Sequence, residues 1–164
     1  MPLHSSAYYR RLASDALEKA GVDEPPVPLE VVAGRFGVPV RMVSLPLFFS
    51  GAAVNEDGLP VLLVNAQRGE EHQRRTLAHL FGHLLLVLDD PAATYPRNTA
   101  ADHQEADLVA AELMLPEVLV RDQALKWFND HRYLARLFGV TEGEMTDRMQ
   151  ELGIIKQRGI LWDY

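Results

Sequence analysis

One stretch decides the fold, Thr76-Leu77-Ala78-His79-Leu80-Phe81-Gly82-His83-Leu84-Leu85-Leu86. Side chains four residues apart on a helix lie one above the other on the same face, so His79 and His83 can both reach one metal ion. After Leu77 the stretch is apolar almost all round, which indicates a buried helix. The sequence therefore predicts a buried helix over residues 69–88 that carries half of a zinc site.

The position after the first histidine departs from the H-E-x-x-H zinc motif. In that motif a glutamate follows the first histidine and accepts a proton from the attacking water. Here the position holds Leu80, which can neither accept nor deliver a proton. A pair of histidines on an apolar helix also has a simpler interpretation, namely core histidines that are hydrogen-bonded to the backbone. The residues thus predict metal ligands without the usual general base.

The segments before this helix alternate between helical and extended periodicity. Apolar residues at helical spacing predict helices over 5–20 and 28–36, and β-branched residues predict strands over 38–43, 52–54 and 60–65. The turn residues between the last two strands suit a hairpin. The fold class expected is α+β, with a small, mostly antiparallel sheet followed by a buried helix pair.

The second helix of that pair is predicted over residues 100–115, and three of its acidic residues, Asp102, Glu105 and Glu112, lie roughly along one side. Acidic groups on a buried helix cost free energy unless something pairs with them, and a cation would do so. Two histidines and one glutamate leave a fourth position open, as in catalytic zinc sites. The expected ligands are His79, His83 and Glu105, with Glu112 and Asp102 supporting them by hydrogen bonds.

The rest of the chain is predicted to be helical, with a helix over 130–138 and another over 142–152 joined by a short turn. We expect two domains, residues 1–116 with the metal site and 117–164 as a helix-turn-helix-like C-terminal segment. The net charge of the chain is −7, and neither part is basic, so direct binding to nucleic acid is not expected. The chain has no cysteine, no apolar run long enough for a membrane span and no signal-peptide core, which favours a cytoplasmic protein.

The two-helix pattern resembles the ImmA/IrrE family of metallopeptidase-like proteins over roughly residues 5–155. The family has a strand, a helix with T-L-A-H-E-x-G-H, and a second helix of the form E-x-x-A-N/D-x-F-A-A-x-L-L-M-P. The matching residues are Val64-Asn65, Arg75 to His79, Gly82 to Leu85, Glu105-Ala106-Asp107, Ala110 to Pro116, and a tail from Leu134 to Thr141.

The resemblance implies a zincin-like metallopeptidase fold, a bound Zn²⁺ and an action on an XRE-type helix-turn-helix repressor. Such a protein cleaves or displaces the repressor and so switches on stress or mobile-element genes. Whether this chain is an enzyme is left open, because Leu80 stands where the family has its catalytic glutamate. His103 and Tyr95 are weak candidates for a catalytic role.

Three functions are compatible with these observations. The first is a zinc-binding regulator of transcription whose peptidase activity is impaired, which makes it a pseudoenzyme that acts by binding its partner. The alternative is an active zinc endopeptidase that uses another base. The second alternative is a metal-free protein-interaction module, in which the two histidines are core residues.

Overall fold

The structure is a computed structural model that describes residues 4–90, 92 and 98–156. In chain order its elements are α1 (Ser6–Lys19), α2 (Leu29–Arg35), β1 (Val40–Val43), β2 (Gly51–Glu56), β3 (Leu59–Asn65), α3 (Glu70–Asp89), α4 (Ala100–Met114), α5 (Glu117–Lys126), α6 (His131–Phe138) and α7 (Glu142–Glu151). The α+β class is confirmed, and each predicted helix or strand begins and ends within two residues of its expected bounds. Helix α5 was not predicted.

The three strands form one sheet in the order β1-β3-β2. β2 and β3 are the expected antiparallel hairpin, with Gly51 opposite Val64, whereas β1 runs parallel to β3. The hairpin turn is made by Asp57 and Gly58, which both have positive φ angles, 54° and 85°. This is the backbone of a type I′ turn, which suits an Asp-Gly pair. Because β3 is the central strand, β2 lies at an edge of the described sheet.

Helix α3 packs between the sheet and α4, and its apolar residues are buried as predicted; Phe81 is 0% exposed. Close approach of α3 and α4 depends on Gly82. A Cβ atom at this position would lie 2.7 Å from the backbone oxygen of Ala106 on α4. The histidines of α3 are thereby brought within reach of side chains on α4.

Replacing Gly82 by alanine is expected to destabilise the protein by about 1–3 kcal/mol, because overpacking against a backbone oxygen outweighs the higher helix propensity of alanine. Urea denaturation followed by circular dichroism measures the change. Gly34, in α2, is the matched control, since a Cβ there meets nothing within 4 Å. Gly34→Ala is expected to stabilise the protein by about 0.4–1 kcal/mol. Equal effects of the two variants would contradict the close packing of α3 on α4.

The buried residues form one hydrophobic cluster that runs from Tyr9 in α1 to Leu152 after α7. The domain boundary predicted at residue 116 falls between α4 and α5 and stays a prediction. Within the described residues, no helix has the length and apolar character needed to cross a membrane.

Candidate metal centre and cleft

Three histidine side chains meet where α3 and α4 face each other. The Nε2 atom of His83 lies 3.1 Å from Nε2 of His79 and 3.1 Å from Nδ1 of His103, and the last two atoms are 3.3 Å apart. An imidazole nitrogen carries either one in-plane hydrogen or one lone pair, so three such atoms in a triangle cannot all be paired by hydrogen bonds with one another. The three side chains could instead hold one metal ion.

The local sequence explains this arrangement. His79 and His83 are four residues apart and lie on one face of α3, as the sequence predicted. His103 comes from the first turn of α4, which Gly82 allows to approach closely. His83 is 5% exposed, whereas His103 is exposed. The cluster is therefore anchored in the core on one side and open to solvent on the other.

Asp107 supports the cluster from α4. Its Oδ1 atom lies 2.7 Å from Nδ1 of His79, and it is four residues after His103, hence on the same face of the helix. When a neutral histidine donates Nδ1–H to a carboxylate, its Nε2 atom carries a lone pair that points away from that carboxylate. Metal-binding histidines are usually supported in this way. Here Nε2 of His79 faces the other two histidines.

Glu105, the third ligand expected from the sequence, is not one of the three clustered side chains. Residues two positions apart on a helix point about 200° away from each other, so when His103 faces the cleft, Glu105 faces α1. Glu105 is 2% exposed, and its Oε2 atom accepts a hydrogen bond of 2.8 Å from the Tyr9 hydroxyl. The structure thus brings His103 to the two histidines of α3.

The two residues expected to support the ligands have other partners. Arg148 of α7 donates to the Oε2 atom of Glu112, and Arg10 lies 3.8 Å from the same oxygen. Asp102 forms a capping box with Thr99: its carboxylate accepts from the backbone N–H of Thr99, and its own N–H donates to the threonine hydroxyl. Glu112 therefore links α4 to α7, and Asp102 helps to cap the N-terminus of α4.

The two weak catalytic candidates have different outcomes. Tyr95 lies outside the described residues. His103 belongs to the histidine cluster, as described above.

Leu80, at the general-base position, lines the cleft beside His79 and His83 and packs partly against the core. The base position is thus inside the site and apolar.

A cleft of about 610 Å³ contains the cluster. One wall is the start of β2, with Ser50, Gly51, Ala52 and Ala53, and the other walls come from α3 and from the region around the start of α4. The side chains from Ser50 to Ala53 are small, and β2 is an edge strand of the described sheet. An extended peptide can pair with such an edge strand.

His103 and Asp107 are the residues of the candidate site that the sequence analysis did not place among the metal ligands and their supports. The spacing of these two residues in the sequence could have identified them. If the pattern E-x-x-A-N/D is aligned on Ala106 and Asp107, its first position falls on His103 rather than on Glu105. The i, i+4 relation between His103 and Asp107 repeats the spacing of His79 and His83 on the facing helix.

Comparison with known proteins agrees with this architecture. The sequence profile of the IrrE N-terminal-like domain, peptidase family M78, matches residues 33–150. No curated protein matches the chain. A solved structure of a Mycobacterium tuberculosis transcriptional regulator superposes with a TM-score of 0.65 and 20% sequence identity, over 94% of this chain and 49% of that one. The chain thus spans about half the length of that structure, and a likeness at this identity concerns the fold. The expected zincin-like fold is confirmed by the family match.

Proposed function

The chain belongs to the family of IrrE N-terminal-like domains, peptidase family M78, and from that membership we propose that it is a zinc-binding regulator of transcription with impaired peptidase activity. It acts in the cytoplasm on an XRE-type helix-turn-helix repressor, by binding the repressor in the cleft. The observation that carries this proposal is Leu80 beside the three histidines, since it combines a metal cluster with an apolar base position.

The donor set fits zinc. Zn–N distances of about 2.0–2.1 Å in a tetrahedron correspond to nitrogen atoms roughly 3.3 Å apart, close to the 3.1, 3.1 and 3.3 Å of the cluster. His79, His83 and His103 would hold the ion, and Asp107 would orient His79. When bound, zinc would act as a Lewis acid that polarises a carbonyl oxygen and makes a coordinated water more acidic.

Impaired hydrolysis follows from the carboxylates available. Among the described residues that line the cleft, Asp107 is the one carboxylate, and it accepts from His79. General acid–base catalysis by a positioned side chain contributes a factor of about 10²–10⁴ in rate. A cleft whose base position is leucine is therefore better suited to holding a protein segment than to cutting it.

A protein partner is favoured over a nucleic acid. The free side of β2 offers backbone hydrogen bonds to an extended segment, while the net charge of −7 opposes phosphate binding. The solved structure with the same fold is described as a transcriptional regulator, which supports a regulatory role. The partner proposed is thus the repressor protein, and DNA is affected only through it.

The test is release of purified XRE-type repressors from their operator DNA, followed by fluorescence anisotropy, with mass spectrometry of the repressor afterwards. The protein is expected to release its repressor and leave it intact. Ala52→Arg, in the cleft wall, is expected to weaken release by roughly tenfold or more, since a large charged side chain blocks the edge of β2. Leu59→Arg adds the same charge on β3 outside the cleft lining and serves as the control.

Other outcomes identify the alternatives. Repressor fragments produced by the native sequence would favour an active endopeptidase with another base. A protein that takes up no zinc, and that releases the repressor equally well with and without a chelator, would favour a metal-free interaction module. Release that is unchanged in Ala52→Arg would contradict the cleft as the binding surface.

A further inference from the structure

Three polar side chains, from Arg68, His72 and Ser50, form a chain of hydrogen bonds that ends at Ser50 in the cleft wall. The Arg68 Nη2 atom lies 3.3 Å from Nδ1 of His72, and Nε2 of His72 lies 2.8 Å from the Ser50 hydroxyl. A guanidinium group can only donate, so Nδ1 of His72 accepts. The proton of the neutral ring is then on Nε2, which donates to the Ser50 oxygen.

The direction of these hydrogen bonds determines whether Ser50 can act as a nucleophile or as a hydrogen-bond donor. Because Nε2 of His72 carries a proton, it cannot take the proton of Ser50, and the serine is not an activated nucleophile. The hydroxyl hydrogen of Ser50 has no acceptor among the described residues, and Ser50 lines the cleft. The serine backbone is held as well, since its oxygen accepts from the Asn65 N–H at 2.9 Å. Ser50 is thus a fixed hydrogen-bond donor.

Two arginines, Arg68 and Arg75, lie near enough to His72 to act on its charge. Arg75 lines the cleft, its side chain is 52% exposed, and its ion pair with Glu144 is long, at 3.6 Å. Burial, followed by the charges of Arg68 and Arg75, lowers the pKa of His72 below its ordinary value, which keeps the ring neutral. Two arginines around a neutral donor, in a protein of net charge −7, favour an anionic ligand.

We propose that Ser50 and Arg75 form a subsite for the carboxylate of an acidic side chain in the protein segment that occupies the cleft, with Arg68 and His72 as positioning residues. The subsite rests on the proposed function, because it supposes that a protein segment lies in the cleft. His72 and His79 are seven residues apart, about 10 Å along the helix axis, which separates the positioning residues of the subsite from the histidine cluster.

The test uses the ¹⁵N-labelled protein and two small probes, N-acetylglutamate N-methylamide and its neutral glutamine counterpart. The glutamate probe is expected to cause saturable shifts of the amides of Ser50, Gly51 and Arg75, with a dissociation constant on the order of millimolar, and the glutamine probe none. Ser50→Ala is expected to weaken binding roughly tenfold and Arg75→Gln at least as much. Arg41→Gln removes an arginine paired with Glu56 on the hairpin and is expected to leave binding unchanged.

The titration is made without zinc and repeated with zinc, so that this subsite and the metal proposal can fail separately. Equal shifts with both probes, or unchanged binding in Arg75→Gln, would overturn the subsite. Shifts that occur only with zinc and only around His103 would show that the carboxylate binds the metal, which also overturns it.

The positioning role has its own readout. Long-range ¹H–¹⁵N correlation spectra are expected to show His72 protonated at Nε2 and not at Nδ1. Arg68→Met removes the donor to Nδ1 and is expected to produce a mixture of both tautomers, together with roughly tenfold weaker binding of the glutamate probe. An Nδ1–H tautomer in the native protein would refute the proposed order of hydrogen bonds.

Discussion

Zinc is expected to bind at about one ion per chain, to be lost in His103→Ala and to be retained in Glu105→Gln. His103 contributes one of the three nitrogen atoms of the cluster, whereas Glu105 is buried against Tyr9. Glutamine keeps the oxygen that accepts from Tyr9, so Glu105→Gln tests the carboxylate charge with little change in shape. Removal of a ligand is expected to lower zinc affinity by more than the roughly 10–100-fold typical of a residue that only supports a ligand.

Competition with a chromophoric zinc chelator measures these affinities, and elemental analysis gives the stoichiometry. His79→Ala and His83→Ala are expected to lose zinc like His103→Ala, and Asp107→Asn is expected to lose about 10–100-fold in affinity. Circular dichroism must show that each variant is folded. Strong loss in Glu105→Gln with retention in His103→Ala would restore the ligand set expected from the sequence.

Leu80→Glu is expected to raise the peptidase activity of the zinc-loaded protein by about 10²–10⁴ over that of the native sequence. The side chain lines the cleft directly after His79, at the position where the H-E-x-x-H motif has its base, and general-base catalysis contributes a factor of this size. Cleavage of a repressor that the protein binds, or of casein as an unfolded substrate, is followed by mass spectrometry.

Leu80→Gln is the matched control, because it has the shape of glutamate without a basic carboxylate, and it is expected to give no increase. Adding His83→Ala to Leu80→Glu is expected to abolish the gain, since hydrolysis then lacks a metal ligand. If Leu80→Glu binds zinc and repressor but cleaves no faster than Leu80→Gln, the missing base is not what limits hydrolysis. High activity of the native sequence would point to another base.

Sequence periodicity predicted most of the fold because burial here follows regular patterns. The repeat of apolar residues in α3 and the Asp57-Gly58 turn each depend on neighbours close in the chain, and both are present as expected. Helix α5 was missed because its apolar residues do not follow a regular helical pattern. Leu119 and Val120 are buried, but Val118 and Leu125 are 77% and 83% exposed, so apolar residues do not mark a single face.

The metal site was predicted only in part, because half of it depends on how two helices face each other. The spacing of His79 and His83 lies within one helix and could be read from the sequence. The choice between His103 and Glu105 depends on the rotation of α4 about its axis, which is set by packing of Tyr9 and Gly82 against it. Asp102, Glu105 and Glu112 suggested a carboxylate ligand, but they contact Thr99, Tyr9 and Arg148, respectively.

The pairing of Glu112 with Arg148 also has a consequence for how the chain folds as it is synthesised. Helix α4, which carries His103 and Asp107, contains a glutamate that is 7% exposed, and the arginine that donates to it comes 36 residues later. Until Arg148 is synthesised, Arg10 is the one described arginine near this carboxylate, at 3.8 Å. Removing one partner of a buried ion pair costs about 3–5 kcal/mol. The packing of α4 is therefore expected to gain stability once α7 is complete.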